Sequence, residues 1–487
     1  GLRWKNPQPA QPWTDIRPAK NFGPRAMQEN IYPHKKFLDD GPSEDCLYLN
    51  VWTPAKAAAE RLPVMVWIHG GGFRAGSASE ADLDGGRLAG KGVVLVSFNY
   101  RLDIFGFFAH PELSTEPGSA PSGSYGMMDQ IAALHWVQRN IAAFGGDPNN
   151  VTIFGESVGG ASVCVLIASP LARGLFQRAI SESGGGFPAR EDLASTLTQS
   201  EVERLGARFA SALGAPSAAE LRALPAQKLL EASSRDQSWF VFSEGDGVFL
   251  PPGTAYDWYA EQRQSHVPLL AGWNADELRV YSVVGKEPFS AKQYVEQIRK
   301  RFGPHADAVL RLYPAGNDAE AARSAGDLAG DLFSGYPSWK WLEEHARTGV
   351  PIYRYSFDRV VPVAPGRIIN GVPVTAADVG AVHAAEIPYV FGMLDAWPKV
   401  PWTKEDRLLS EQMMTLWTNF AKTGDPDAAG LPPWPRYGSS GPRMLLHLDT
   451  TISVTPEIRR DRYEFWAADA AEARKERPAP ERSDPAR

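Results

Sequence analysis

The chain has 487 residues, 43% of them hydrophobic and 22% charged, with a net charge of -7. That balance is ordinary for a soluble globular protein and argues against a nucleic-acid-binding surface. The length suits one large α/β domain with insertions, or two to three average domains.

No apolar run approaches the roughly 20 residues needed to span a bilayer, so no stable membrane insertion is expected. Two cysteines, Cys46 and Cys164, make neither a disulfide scaffold nor a zinc pattern. The sequence opens on Gly1 rather than methionine, which leaves two compartments open: secreted or periplasmic if a leader was removed, cytoplasmic otherwise. Arginine outnumbers lysine and alanine is abundant, the composition of a GC-rich bacterial gene.

In chain order, "PVMVWIH" (63–69) reads as a buried strand from its apolar run, and "GVVLVSFNY" (92–100) as another. "YGMMDQIAALHWVQRNIAAFGG" has helical periodicity, with Ile131, Leu134, Val137 and Ile141 on one stripe. "GGDPNN" is a stop and a turn. "VTIF" (151–154) is a short strand, and "SVGGASVCVLIAS" is the helix after it. Such alternation predicts a parallel sheet with helices on both faces.

From about 190 to 265 and 288 to 348 the chain becomes alanine-rich, charged and helical, which reads as cap-like insertions. Strand signals return at "VPLLAGWN" and "PIYRYSFD". Residues 1–470 are expected to form one catalytic domain, and the charged, Pro-containing tail 471–487 to be disordered.

Within this pattern, Gly155-Glu156-Ser157-Val158-Gly159 fits G-x-S-x-G between a predicted strand and a predicted helix. That is the context of a nucleophile elbow. The glycines keep a strained turn free of clashes. The helix start aims its amides and dipole at the serine. Upstream, "HGGGF" (69–73) follows a strand, and consecutive glycines let backbone amides approach a substrate. Acyl transfer generates an oxyanion, so the amides of Gly71, Gly72 and Val158 are candidate donors. His69 is expected to fix the loop, and Phe73 to border a pocket.

A base should follow Ser157 late in the chain. His383, in "GAVHAAEIPYVFG", is preferred because small residues crowd it above a strand-like run; His305 and His345 read as solvated surface residues. For the acid, "NADE" offers Asp276 and Glu277, and spacing does not decide between them. Trp417 and Phe420 are candidate pocket residues, with core packing on a helix stripe the equal alternative. Cys164 reads as a small packed hydrophobe, and the sequon at Asn150 as coincidence.

Together, "SEDCLYLNVWTP", "VMVWIHGGGFRAGS", "FNYRLDIFGFF", "HWVQRNIAAFGGDPNNVTIFGESVGG", "GLFQRAISESG", "NADE", "VHAAEIPYVFG" and "WTNFAKTGDP" resemble the type B carboxylesterases. This is the esterase group of the α/β-hydrolase fold that includes the cholinesterases. The resemblance implies a large, mostly parallel sheet flanked by helices, with helical cap insertions. It implies Ser157 as nucleophile, Glu277 as acid and His383 as base, with Glu156 and Ser183 beside them and Glu386 structural. It further implies ion pairs of Arg3 with Glu44 and of Arg101 with Asp147.

Three departures stand out. The family's residues ahead of "GLRW", which form a hairpin and part of the pocket rim, are not in this sequence. Ala26 replaces the cysteine that would pair with Cys46, which should then be a free buried thiol. Val158 replaces the usual alanine and narrows the acyl side.

The expected reaction is two-step hydrolysis of short to medium acyl or xenobiotic esters by a monomer or homodimer, with no metal or organic cofactor. Activity should fall below a pH near 7, as the base protonates. Amidase, thioesterase, acyltransferase or lipase action on the same fold, and a non-catalytic binding module, are the alternatives.

Overall fold

The computed structural model describes residues 2–116, 121–187, 197–240, 245, 248–250, 255–285, 289–438 and 442–475. Nine strands form the central sheet: β1 (Leu49–Trp52), β2 (Leu62–Ile68), β3 (Val94–Phe98), β4 (Gly146–Glu156), β5 (Arg178–Glu182), β6 (Leu269–Asn274), β7 (Ile352–Phe357), β8 (Met444–Leu448) and β9 (Ser453–Pro456). Their spatial order is β9-β8-β7-β6-β5-β4-β2-β3-β1. The pairs from β3 to β8 are parallel, and the edge strands β1 and β9 pair antiparallel.

Burial on both faces explains the unbroken apolar runs. In β2, Val64, Val66 and Ile68 enter one core cluster while Met65 and Trp67 enter the other. The first cluster packs the helices α1 (Tyr125–Asn140) and α2 (Val158–Ala168) against the sheet. "GGDPNN" turns without leaving the sheet. It bulges out of β4 between the pairings of Leu62 with Gly146 and of Val64 with Val151.

Helices fill both excursions. The first carries α3 (Gln199–Ala212) and α4 (Ala226–Arg235); its opening residues, 190–196, lie outside the described residues. The second carries α5 (Ala291–Phe302), α6 (Asp318–Gly330), a π-helical turn Asp331–Gly335 and α7 (Tyr336–Ala346). The last of these is a core helix, since Trp341 and Leu342 share a cluster with Leu269 and Ile352. Beyond the excursions, α8 (Lys404–Thr423) packs in the second cluster and α9 (Arg460–Lys475) in the first.

The structure corrects four expectations. Residues 471–475 complete α9 rather than begin a disordered tail; 476–487 lie outside the described residues. His345 is buried, not solvated: its Nε2 meets the Val267 carbonyl at 2.8 Å, and burial holds its pKa down at about 4. Arg101 pairs with Asp129 on α1 through two 2.7 Å bonds, while Asp147 pairs with Arg61 at 2.6 Å. Trp417 and Phe420, offered as pocket residues, are wholly buried on α8. Trp417 Nε1 donates to Glu182 Oε1 at 2.8 Å, and Phe420 packs edge-on against Tyr353. Two expectations hold: Arg3 binds Glu44 through paired 2.6 Å bonds, and Cys46 is a buried free thiol.

Candidate active site

The direction of strand addition reverses between β2 and β4. From β2 the chain moves outward to β3, then returns to place β4 on the other side. Crevices at the C-terminal ends of such strands are where open α/β sheets bind ligands. "HGGGF" leaves β2 there, and Ser157 leaves β4 beside it. An ideal Cβ on Gly70 would lie 3.1 Å from the Ser157 Cβ, so the two segments touch.

Ser157 has φ 57° and ψ -125°, a conformation L-residues rarely adopt. Its amide donates to Glu182 O at 2.9 Å, which fixes the turn to β5. The flanking glycines are required by contact. A Cβ on Gly159 would sit 2.1 Å from Ile68 O, and one on Gly155 would sit 2.6 Å from the same oxygen. Val158 opens α2, so its amide is among those that helix geometry leaves without an intrahelical acceptor.

The glycine loop folds back on itself. Gly71 O accepts from the amides of Arg74 (3.1 Å) and Ala75 (3.0 Å). Among the described residues, none accepts from the amides of Gly71 or Gly72. Beneath, His69 stacks on Tyr100 with ring centroids 4.4 Å apart, and the Tyr100 hydroxyl donates to His69 O at 2.7 Å. Burial lowers the His69 pKa to about 4, so this imidazole is neutral and structural. Phe73 is half-buried, with φ 56°, and packs on Phe107.

His383 lies above the end of β6. Its amide donates to Glu277 O at 3.0 Å, and its Nδ1 meets Glu277 Oε2 at 2.6 Å. Glu277 Oε1 accepts from the amide of Asn274 at 2.9 Å. Asp276 points elsewhere, accepting from the Ala381 amide and from Arg279, each at 3.0 Å. Of the two acids left open by spacing, geometry therefore brings Glu277 to the imidazole.

The other ring nitrogen, Nε2, faces Glu156 Oε1 at 3.1 Å. No hydrogen bond joins it to Ser157 Oγ among the described residues. Burial disfavours the imidazolium, but the charges of Glu156 and Glu277 outweigh this and raise the His383 pKa to about 10.

Two further carboxyls surround this centre: Glu386, given a structural role by the family resemblance, and Glu182, which the sequence reading missed. Glu182 and Glu386 are fully buried, and burial raises both, Glu386 to about 8. Asn274 Nδ2 donates to Glu386 Oε2 at 2.5 Å and to Val382 O at 2.8 Å. It thereby joins the acid strand to the histidine loop. Nothing in local spacing marks Asn274 or Glu182; both depend on β5 and β6 lying side by side. Ser183 follows β5 with φ 50°, and its buried Oγ has no partner among the described residues. No cluster of side chains suited to holding a metal occurs among the described residues, and no described helix is long and apolar enough to cross a membrane.

Residues 1–466 match the carboxylesterase family profile. The chain is 35% identical to the fumonisin B1 esterase of Sphingopyxis macrogoltabida, over 91% of this chain and 80% of that one. It is also 35% identical to carboxylesterase 1F of Mus musculus, over 98% and 88%. A thermophilic PNB esterase superposes with a TM-score of 0.78 at 33% identity, covering 95% of this chain and 92% of that one. The carboxylesterase EST55 of Geobacillus stearothermophilus gives the same TM-score of 0.78 at 31% identity. The sheet, its crossing order and these likenesses agree: the chain belongs to the carboxylesterase family, with the α/β-hydrolase fold, and hydrolyses carboxylic esters.

Proposed function

We propose that hydrolysis runs through an acyl-enzyme on Ser157, with His383 as base and Glu277 as its orienting acid. The observation that carries this reading is the 2.6 Å contact of His383 Nδ1 with Glu277, on a loop beside an elbow whose serine is held at φ 57°. For attack, Nε2 exchanges Glu156 for the Ser157 hydroxyl and takes its proton; such contacts commonly tighten only with substrate bound. As the Oγ–C bond forms and the C=O π bond breaks, the carbonyl oxygen becomes an oxyanion within reach of the Gly71, Gly72 and Val158 amides. Each such donor is worth about 3–4 kcal/mol of the barrier. His383 then protonates the departing alcohol, and water, activated by the same imidazole, releases the acid.

Glu156 and Glu277 both favour the imidazolium, and the base must be neutral to act. The rise of kcat/KM with pH is therefore shifted to the alkaline side of the ordinary imidazole value of 6.5. The substrates are soluble esters with short to medium acyl chains or xenobiotic esters, in keeping with the largely polar helical excursions. One chain supplies every group in this scheme, so a monomer or a homodimer suffices.

The test is hydrolysis of p-nitrophenyl esters from acetate to palmitate by the protein and its Ser157→Ala variant. Turnover that peaks at short to medium chains and drops by about 10⁴-fold or more in the variant is expected. Unchanged turnover in Ser157→Ala would overturn the assignment.

A further inference from the structure

Phe333 is 45% exposed, an unusual position for a phenylalanine flanked by buried residues: Leu332 and Ser334 on either side are 8% and 0% exposed. Its ring stands edge-on to His383 with centroids 4.9 Å apart and planes at 85°. Phe333 thus presents an apolar surface to solvent directly beside the imidazole of the site.

The backbone is built to hold it there. Residues Asp331–Gly335 form a π-helical turn between α6 and α7. The extra residue of such a turn breaks the helical periodicity and is frequent at functional sites. Here it lets Asp331, Leu332, Ser334 and Gly335 all turn inward while Phe333 alone turns out. Asp331 anchors the turn. It accepts from the hydroxyls of Tyr313 at 2.9 Å and Tyr463 at 3.2 Å, and from Arg462 at 3.4 Å. Just before the turn, Gly330 passes so close to Glu277 that a Cβ would lie 3.3 Å from the Glu277 Cβ. The turn is therefore fixed to the site from below by Gly330 and from behind by α9.

We infer that Phe333 is a specificity-determining residue: its ring forms the wall against which one ester substituent lies beside His383. It selects flat or unbranched apolar groups and rejects groups branched next to the ester. This rests on the triad assigned above. At 4.9 Å the two rings are in edge-on contact, with no space between them; a flat or linear group can lie along the exposed face of Phe333, whereas a quaternary carbon held at the reacting carbonyl must displace the ring or the imidazole.

The experiment compares Phe333→Ala and Phe333→Leu with the unsubstituted protein on p-nitrophenyl butyrate and trimethylacetate, and on n-butyl and tert-butyl acetate. Functional sites are counted by burst titration with an activated carbamate, so that misfolded protein does not enter the rates. Expected is a ratio of linear to branched kcat/KM that falls by about tenfold in Phe333→Ala, the size one methylene carries in an apolar pocket. Leucine should give an intermediate ratio, and the pH profile should be unchanged. Whichever pair responds, acid or alcohol, locates the wall.

An unchanged ratio in both pairs, with esters still hydrolysed, overturns the wall and leaves the esterase assignment standing. An equal loss on all four esters with a shifted pH profile also overturns it, and makes Phe333 a support for His383 only. Failure of the triad itself reads differently, as turnover that survives Ser157→Ala.

Discussion

Replacing Glu156 by glutamine removes one of the two carboxylates flanking His383 and keeps its shape. In the structure, Glu156 Oε1 lies 3.1 Å from Nε2, with both side chains largely buried. Coulomb's law at an effective dielectric near 20 sets a gross ceiling of about 5 kcal/mol for that contact. Relaxation reduces it, and an opposite charge at this range typically moves a pKa by about one to three pH units, or about 1.4–4 kcal/mol.

The sign follows from which form acts. Glu156 favours the imidazolium and, in the proposed scheme, the neutral imidazole is the base, so removing the charge lowers the His383 pKa and moves the rise in kcat/KM to lower pH. Burial holds the Glu156 pKa up at about 7, so the carboxylate acts fully only above that value. The assay is kcat/KM for p-nitrophenyl butyrate between pH 5 and 10, with burst titration for active sites. A limb that stays put, or moves to higher pH, refutes the claim that Glu156 sets the charge state of His383.

Four further outcomes are expected. Gly159→Ala puts a methyl 2.1 Å from the Ile68 carbonyl; overpacking against backbone should cost about 1–3 kcal/mol in urea unfolding, and the displaced elbow should lower kcat. Arg101→Met leaves Asp129 buried without its partner and should destabilise by about 3–5 kcal/mol. Arg61→Met, which breaks the more exposed pair with Asp147, should cost under about 1 kcal/mol in the same denaturant series. The Cys46 thiol, pushed up to about 12 by burial, should resist a thiol-specific disulfide reagent at pH 8 in the folded protein and react once the chain is unfolded. Reaction of the native chain as fast as free cysteine would show that this site is open.

Local sequence determined the parts of this protein whose signals lie within a few residues. The apolar runs of β2 and β3 mark strands buried on both faces, because no polar side is needed. Gly155 and Gly159 around Ser157 and Gly70 and Gly71 in "HGGGF" are dictated by backbone contacts, Gly72 by its φ of 66°, and they mark the site before any fold is known.

The sequence misplaced what depends on a distant partner. The chain holds many carboxylates that spacing cannot rank as partners for Arg101, and only the assembled fold brings Asp129 of α1 to it. His345 and Trp417 lie on helices whose inner faces are fixed by contacts with neighbours far along the chain, so the surface reading failed for His345, and for Trp417 core packing holds rather than the pocket reading. Spacing leaves Asp276 and Glu277 open and only the family resemblance points to Glu277; its contact with His383, the approach of Glu182 and the turn that exposes Phe333 are likewise tertiary. Each is set by long-range approach of β5, β6, α6 and the histidine loop, which carries no local periodicity. A charge or a ring near an imidazole acts through distance, and distance between remote segments exists only once the sheet has assembled.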